Sequence, residues 1–443
     1  MAKTGRPKVV IVGAGFGGLS AIRTLGNKAV DVLVVDRNNY HGFWPLLYQV
    51  ATGALNSELI AYPIRKVIHP YKNIDFQLAD VTGVNWAQKQ VNIANGKAID
   101  FDYLILAAGS AQFYFGNDRL AETTFSMKDV DQAEEIRNHV IECFEKAQTE
   151  TDPEKRKQLM TIAIVGGGPT GVELAGGFQE LIKDNFRKDY PSLNMKEART
   201  CLIEAMGNIM LPFSNTPELV KATSRELEKR GVEIMLNSAV NSVENNVVEF
   251  KDGRTLAAGT VIWAAGVRGA LLSDHLGLEL QRGFRVPVTE ELNLADHPSV
   301  FVVGDMAYLE GFKWGDRVMA YPQVAQVAIQ MAEQASKNVL TIAAGGVPSK
   351  FSYYDKGSMA IIGRGAAIVA ADKPAKIRMG TGITKFPGWL MWLAVHVMFL
   401  AGWRNRLASI SSWFWNYVGH DRGARVLVGR RDHKTEELVR EKP

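Results

Sequence analysis

The chain has 443 residues, 47% hydrophobic and 22% charged, with a net charge of +4 at pH 7 and two cysteines. That length accommodates two or three domains with separate cores. Cys143 and Cys201 are too few and too far apart for a disulfide framework or a Cys-x-x-Cys redox pair, and read as small buried apolar residues.

The N-terminal Met1-Ala-Lys-Thr-Gly-Arg-Pro-Lys8 lacks the apolar core of a secretory signal and the Arg- and Ser-rich pattern of a transit segment. A strand beginning near Lys8 then runs into Gly13-Ala-Gly-Phe-Gly-Gly18, and a helix follows from about Leu19 to Leu25. This is a dinucleotide fingerprint in its required context. Gly13 allows the tight turn, Gly15 the approach of a pyrophosphate, and Gly18 the packing of helix on strand. The next strand ends at Asp36, where a carboxylate meets ribose hydroxyls. The aromatic stretch His41 to Gly53 reads as an irregular loop at the ligand edge of the sheet, with core packing as the rival reading of Phe43 and Trp44. Strands are expected around 74–84, at 90–93, and at Tyr103 to Gly109, the last ending in Ala-Ala-Gly.

A charged helical segment, 129–159, turns at Thr151-Asp-Pro153 and leads into a second copy of the architecture. Thr161-Ile-Ala-Ile-Val165 precedes Gly166-Gly-Gly-Pro-Thr-Gly171, in which Gly166, Gly168 and Gly171 repeat the three glycine roles. Its acid-ended strand, Thr200 to Glu204, lies further on than the usual interval of about 20 residues, and the excess is assigned to a polar insert at 183–199. Glu204 predicts NADH over NADPH, because a carboxylate repels a 2′-phosphate. Val261-Ile-Trp-Ala-Ala-Gly266 echoes the strand ending at Gly109. A return to the first domain is expected at Ser299 to Ala307, where Asp305 ends a strand and reads either as an N-cap or, in a two-nucleotide protein, as the partner of the sugar-like chain of a flavin. A helix is expected from Tyr321 to Ala332 with Gln323, Gln326 and Gln330 near one face.

The last sixty residues differ. Phe386 to Trp403 is eighteen residues without a formal charge, and five of nine tryptophans fall between Trp389 and Trp415. Pro387, Gly388, His396 and Gly402 weaken a spanning helix, and spanning would leave the basic tail on the wrong side. Residues 409–418 read as an amphipathic helix with Ile410, Trp413, Phe414, Tyr417 and Val418 on one stripe, either docked on the core or lying in one leaflet. Residues 404–443 hold nine Lys or Arg against five Asp or Glu, which is the whole charge surplus. No nucleic-acid-binding pattern accompanies them, and a membrane surface is the expected partner.

Taken together, Gly13-Ala-Gly-Phe-Gly-Gly18, Pro45-Leu-Leu-Tyr-Gln-Val-Ala-Thr-Gly53, Val165 to Gly176, Val303-Gly-Asp-Met-Ala307, Ala325-Gln-Val-Ala-Ile-Gln330 and the Trp-rich end make the sequence resemble the type II NADH dehydrogenases, single-subunit NADH:quinone oxidoreductases. The resemblance implies an α/β fold of two Rossmann-type domains of the FAD/NAD-linked reductase kind with a C-terminal helical membrane-attachment region. The FAD-binding domain would comprise residues 1–128 and 286–385, the NADH-binding domain 129–285, and the membrane-anchoring region 386–443. By position, non-covalent FAD would contact Gly13, Ala14, Gly15, Phe16, Gly17, Asp36, Arg37, Val81, Gly109, Asp305, Ala325 and Gln326. NADH would use Gly166, Gly168, Gly171 and Glu204. Glu173 would lie beside nicotinamide and flavin, and Gln326, Gln330 and Lys385 would line the quinone site. The implied enzyme is peripheral on the cytoplasmic face of the cell membrane and pumps no protons; a homodimer is compatible with it. The alternatives are a sulfide:quinone oxidoreductase, for which the chain offers no suitable cysteines, and an NADH-binding flavoprotein that serves as an interaction or redox-sensing module.

Overall fold

The computed structural model describes residues 5–314, 317–370, 385–419 and 422–427. The elements that position the site begin with β1 (Lys8–Val12), α1 (Phe16–Leu25), β2 (Asp31–Asp36), α2 (Leu47–Ala51), β3 (Ile74–Leu78) and β4 (Tyr103–Leu106). A second series comprises β5 (Phe125–Ser126), α3 (Val130–Thr149), β6 (Thr161–Val165), α4 (Pro169–Glu180), β7 (Arg199–Ile203), α5 (Pro217–Arg230), β8 (Val232–Met235) and β9 (Thr260–Trp263). The chain then adds β10 (Val300–Val302), α6 (Ala325–Ala343), the hairpin β11 (Ser358–Gly363) and β12 (Ala366–Ala370), α7 (Lys385–Phe399) and α8 (Trp403–Gly419).

Two five-stranded parallel sheets result, in the orders β10-β4-β1-β2-β3 and β5-β9-β6-β7-β8. Each has its glycine-loop strand at the centre, because a strand covered by helices on both faces must be apolar throughout. Val9 to Val12 and all of β6 are buried accordingly. Each sheet carries a three-stranded antiparallel meander, 81–100 between β3 and β4 in the first and 240–257 between β8 and β9 in the second. The outermost strand of each sheet comes from a remote part of the chain: β10 closes the first, and β5, which lies ahead of residue 129, joins the second by pairing with β9.

Several local features refine the sequence reading. Helix α1 begins at Phe16 rather than Leu19, directly on the glycine loop. The charged segment is two helices, capped by Asp129 accepting from Gln132 N and Asp152 accepting from Glu154 N. The supposed irregular loop at 41–53 contains a 3-10 turn and the helix α2, whose five residues are all buried. The excess spacing before Glu204 is partly helical, since α4 continues through a π turn at Leu181–Phe186 into Arg187–Asp189. Helix α6 starts at Ala325, so Gln323 lies outside it.

The tryptophan-rich end is two helices rather than one. Gly402, at φ +82°, breaks the run, and a Cβ there would lie 2.2 Å from the Tyr62 ring. Arg406 closes the end of α7 by donating to the carbonyls of Leu400 and Met398. Among the described residues no helix is long and apolar enough to cross a membrane.

Candidate functional site: two nucleotide loops and a tryptophan-walled cavity

The two glycine loops are built alike. Gly13 and Gly166 adopt φ +99° and +118°, and a Cβ on either would collide with the strand-end backbone at Ala107 or Ala265. A Cβ on Gly18 or Gly171 would lie 1.9 Å from the carbonyl of the first glycine, so only glycine lets the helix sit so close to its strand. At Gly15 and Gly168 a Cβ would meet nothing within 4 Å, which leaves a cradle at each helix N-terminus where no side chain caps the backbone N–H groups. That arrangement suits the pyrophosphate of a dinucleotide.

The strand-end acids complete each loop. Register pairs Val12 with Val35 and Val165 with Ile203, so Asp36 and Glu204 follow at equivalent positions despite their different sequence spacing. Asp36 accepts from Ala14 N at 2.6 Å and Asn38 N at 2.7 Å; Glu204 accepts from Gly167 N at 2.7 Å and Met206 N at 2.8 Å. Burial raises the Asp36 carboxyl, opposed by those two backbone donors. Arg37 is exposed at the rim and pairs with Asp129 at 3.7 Å. Val81 opens the first meander, and Gly109, at φ +75°, follows β4 with open space where a Cβ would stand.

Asp305 sits in a single 3-10 turn after β10. Burial raises its carboxyl, while Ser110, Lys128 and Arg285 act in the opposite sense. Lys128 was not singled out from sequence, because its closeness to Asp305 depends on β10 returning to the first sheet. Gln323 holds the carbonyl of Asp305 at 3.0 Å. The open cradle at Gly15, the acid at Asp36 and the half-buried acid at Asp305 fit an FAD dinucleotide on the first sheet.

Glu173 lies on α4 with Gly177 and Glu180, one face at helical spacing, and lines a half-open cavity of about 80 Å³. Tyr48, Gln49 and Thr52 from α2 and its C-terminal end, Trp389, Trp392 and Leu393 from α7, and Trp413, Asn416 and Tyr417 from α8 form other walls. Gly176 and Gly177 bring the elements together: a Cβ on Gly176 would lie 2.0 Å from the Ile362 carbonyl, and one on Gly177 would lie 2.8 Å from the Thr52 methyl. Burial pushes the Glu173 carboxyl up to about 8, with only a long 3.4 Å hydrogen bond from Ile361 N in opposition. It therefore holds its proton at neutral pH. Glu180 is the ionic floor, accepting from Arg230 at 2.5 Å and from Arg422 at 2.8 Å. Arg422 also donates to the carbonyls of Thr52 and Gly177, so a buried arginine from beyond α8 ties the chain end to this cavity.

The other expected site residues are placed differently. Gln326 donates to Gly357 O and accepts from Lys356 N, and Gln330 makes the same pair of bonds with Tyr354. Both glutamines thus clamp the 354–357 segment onto α6, and neither lines the Glu173 cavity. Lys385 heads α7; its side chain lies outside the described residues. Tyr48, Thr52, Trp389, Trp392, Trp413 and Arg422 were missed as site residues. The tryptophans at i, i+3 spacing on α7 and the Gly176-Gly177 pair were the available signals.

Helix α8 inverts the expected stripe. Its polar residues dock inward: Asn405 donates to the carbonyls of Glu58, Leu59 and Ala61, Asn416 to Ala54 O, and Ser409 is fully buried. Of the expected apolar stripe Trp413 faces in, donating to Gln49 Oε1 at 2.7 Å, and Tyr417 stacks on Trp389 at the cavity wall. Ile410, Phe414 and Val418 are exposed, as are Trp403 and Trp415 at 75% and 65% and Leu390, Met398 and Phe399 on α7. Exposed apolar residues in this number are a feature of interaction surfaces.

Two nucleotide loops on paired parallel sheets define a flavoprotein reductase class, and the family model for pyridine nucleotide-disulphide oxidoreductases matches residues 7–332. The type II NADH:quinone oxidoreductase Ndh of Mycobacterium tuberculosis is 37% identical, over 96% of this chain and 91% of that protein. The enzyme of the same description from Staphylococcus haemolyticus is 30% identical over 81% of this chain and 88% of its own length. The chain belongs to the type II NADH:quinone oxidoreductase family. In fold it matches NDH2 from Plasmodium falciparum, solved in complex with NADH, with a TM-score of 0.84 at 20% identity over 96% of this chain and all of that one. A sulfide:quinone oxidoreductase from Aquifex aeolicus shares the fold less closely, with a TM-score of 0.66 at 17% identity over 93% of this chain and 95% of that one.

Proposed function

We propose that this protein oxidises NADH and reduces a membrane quinone by two electrons, without pumping protons, while attached to the cytoplasmic face of the membrane through the outer faces of α7 and α8. The observation that carries the reading is the Glu173 cavity. One wall is the helix that starts at the second nucleotide loop, and others belong to the helix pair whose far side is apolar. Relatives named as NADH:quinone oxidoreductases support the same assignment. A disulfide acceptor is disfavoured because Cys143 and Cys201 are both buried and free.

Bound FAD supplies the redox chemistry that joins the two half-reactions. In this reading Gly13, Ala14, Gly15, Phe16 and Gly17 hold its pyrophosphate, Asp36 its adenine-side ribose and Asp305 its ribityl chain, with Arg37, Val81, Gly109 and Ala325 completing the contact. Gly166, Gly168 and Gly171 cradle NADH, and Glu204 takes its ribose hydroxyls. The hydride from NADH carries two electrons and one proton, so the quinol needs one further proton from solution. Glu173, protonated at neutral pH, holds such a proton on the cavity wall. Gln326, Gln330 and Lys385 belong to the quinone side, the glutamines by fixing the segment that leads into β11.

The test is anaerobic. NADH should bleach the flavin, and a short-chain quinone should restore its colour within the turnover time. Bleaching that no quinone reverses would replace this function with that of an NADH-binding flavoprotein module.

A further inference from the structure

The two tryptophans whose indoles meet in the Glu173 cavity differ in one respect. Trp413 Nε1 donates to Gln49 Oε1 at 2.7 Å, whereas the Trp392 N–H has no hydrogen-bond partner among the described residues, although Trp392 is fully buried. Thr52 is in the same condition: 1% exposed, its carbonyl held by Arg422, its hydroxyl unpartnered. Both residues line the cavity. Buried polar groups are paired in the great majority of cases, and one left unpaired costs stability until a partner arrives.

Trp392 has no freedom to turn its N–H elsewhere. It stacks on His396 with ring centroids 3.8 Å apart and planes at 23°, and meets Tyr48 edge-on at 6.5 Å. The His396 ring is itself fixed by a 2.7 Å hydrogen bond between its Nδ1 and Trp392 O. An indole only donates, and a hydroxyl can donate as well as accept, so an acceptor oxygen can satisfy both. The group that completes this wall is therefore an acceptor oxygen, carried on a flat apolar body that suits the indole and leucine surfaces.

We infer that the Trp392 N–H and the Thr52 hydroxyl are the hydrogen-bond anchors for a carbonyl oxygen of the quinone, an inference that rests on the function proposed above. The cavity is half-open and small, so it takes the carbonyl edge of the ring while the remainder lies outside, and the two donor atoms, sealed from solvent in this structure, meet that edge by a shift of the cavity wall. A carbonyl oxygen accepts from a donor-only indole more strongly than the hydroxyl of the quinol does, so reduction weakens the contact and favours exchange of product for substrate.

The experiment uses the full-length protein in mild detergent with its FAD bound. Trp392→Phe keeps an aromatic ring and removes the N–H; Thr52→Val keeps the shape and removes the hydroxyl. The expected result is a KM for a short-chain quinone raised about tenfold by W392F and about threefold by T52V, as loss of single buried hydrogen bonds implies. T52S, which restores the hydroxyl, should return KM toward the wild-type value. Turnover with ferricyanide, which has no carbonyl to anchor, should not follow the same order. FAD content and the rate of bleaching by NADH measure folding; if W392F loses FAD, the T52V and T52S pair decides the matter. Quinone KM values within twofold of wild type in the folded variants overturn the anchor. Failure of quinone to reoxidise the wild-type flavin overturns the functional reading itself.

Discussion

Glu173→Gln removes a titrating group from a half-buried position on the cavity wall and leaves a side chain of the same shape. The wild-type carboxyl, near 4.5 when exposed, is raised to about 8 in the folded chain by burial. The folded state therefore binds a proton more tightly than the unfolded state. The stability contributed by that proton is complete below about pH 4.5, falls as pH rises, and is gone above about pH 8. At pH 7 the unfolded chain has already ionised, so holding the neutral acid costs about 3 kcal/mol on the scale of 1.36 kcal/mol per unit. That figure is an upper bound, because the cavity is half-open and water relaxes around the carboxylate. Glu173→Gln should thus unfold at a higher temperature than wild type at pH 7. The gap should be small at pH 5, widen to about pH 8 and then level off. Thermal unfolding of both proteins across pH 5–9 measures it. Parallel curves would refute the claim that Glu173 is an acid held protonated by desolvation. The same titration predicts that wild-type quinone reduction declines as Glu173 ionises near pH 8, and that the variant is slower at neutral pH without that limb.

Three further perturbations separate the parts of the site. Gly166→Ala forces a Cβ to within 2.7 Å of Ala265 N at a positive φ; flavin content should survive while the KM for NADH rises by an order of magnitude or more, and an unchanged KM would remove the second loop from NADH binding. Glu204→Gln removes the charge that repels a 2′-phosphate, so the NADPH to NADH ratio of kcat/KM should rise about tenfold, measured by flavin bleaching with each nucleotide. Phe414→Ser with Trp415→Ser strips two exposed rings from α8 and should shift the protein from vesicle pellet to supernatant on sedimentation with anionic lipid vesicles, with turnover on water-soluble quinone retained. Unchanged sedimentation would place the attachment elsewhere.

Much of this protein is determined by local sequence. A glycine pattern after an apolar strand specifies a turn that no other residue tolerates, so both nucleotide loops and the acids that close them were legible, even with an insert that moved Glu204 out of its usual spacing. Buried parallel strands and charged, capped helices are legible for the same reason: their signals lie within a few residues of each other. The cavity is different. Its walls come from positions near 50, 175, 362, 390, 413 and 422, and hydrophobic periodicity does not report which of two helix faces meets another element. Helix α8 shows the consequence, for its asparagines find backbone carbonyls and Ser409 is buried, while Ile410, Phe414 and Val418 of its apolar stripe are left outside. Likewise, Glu173 is an ordinary helix carboxylate in sequence. Only the packing of α2, α7 and α8 around it takes it partly out of water, and that desolvation is what raises its affinity for a proton.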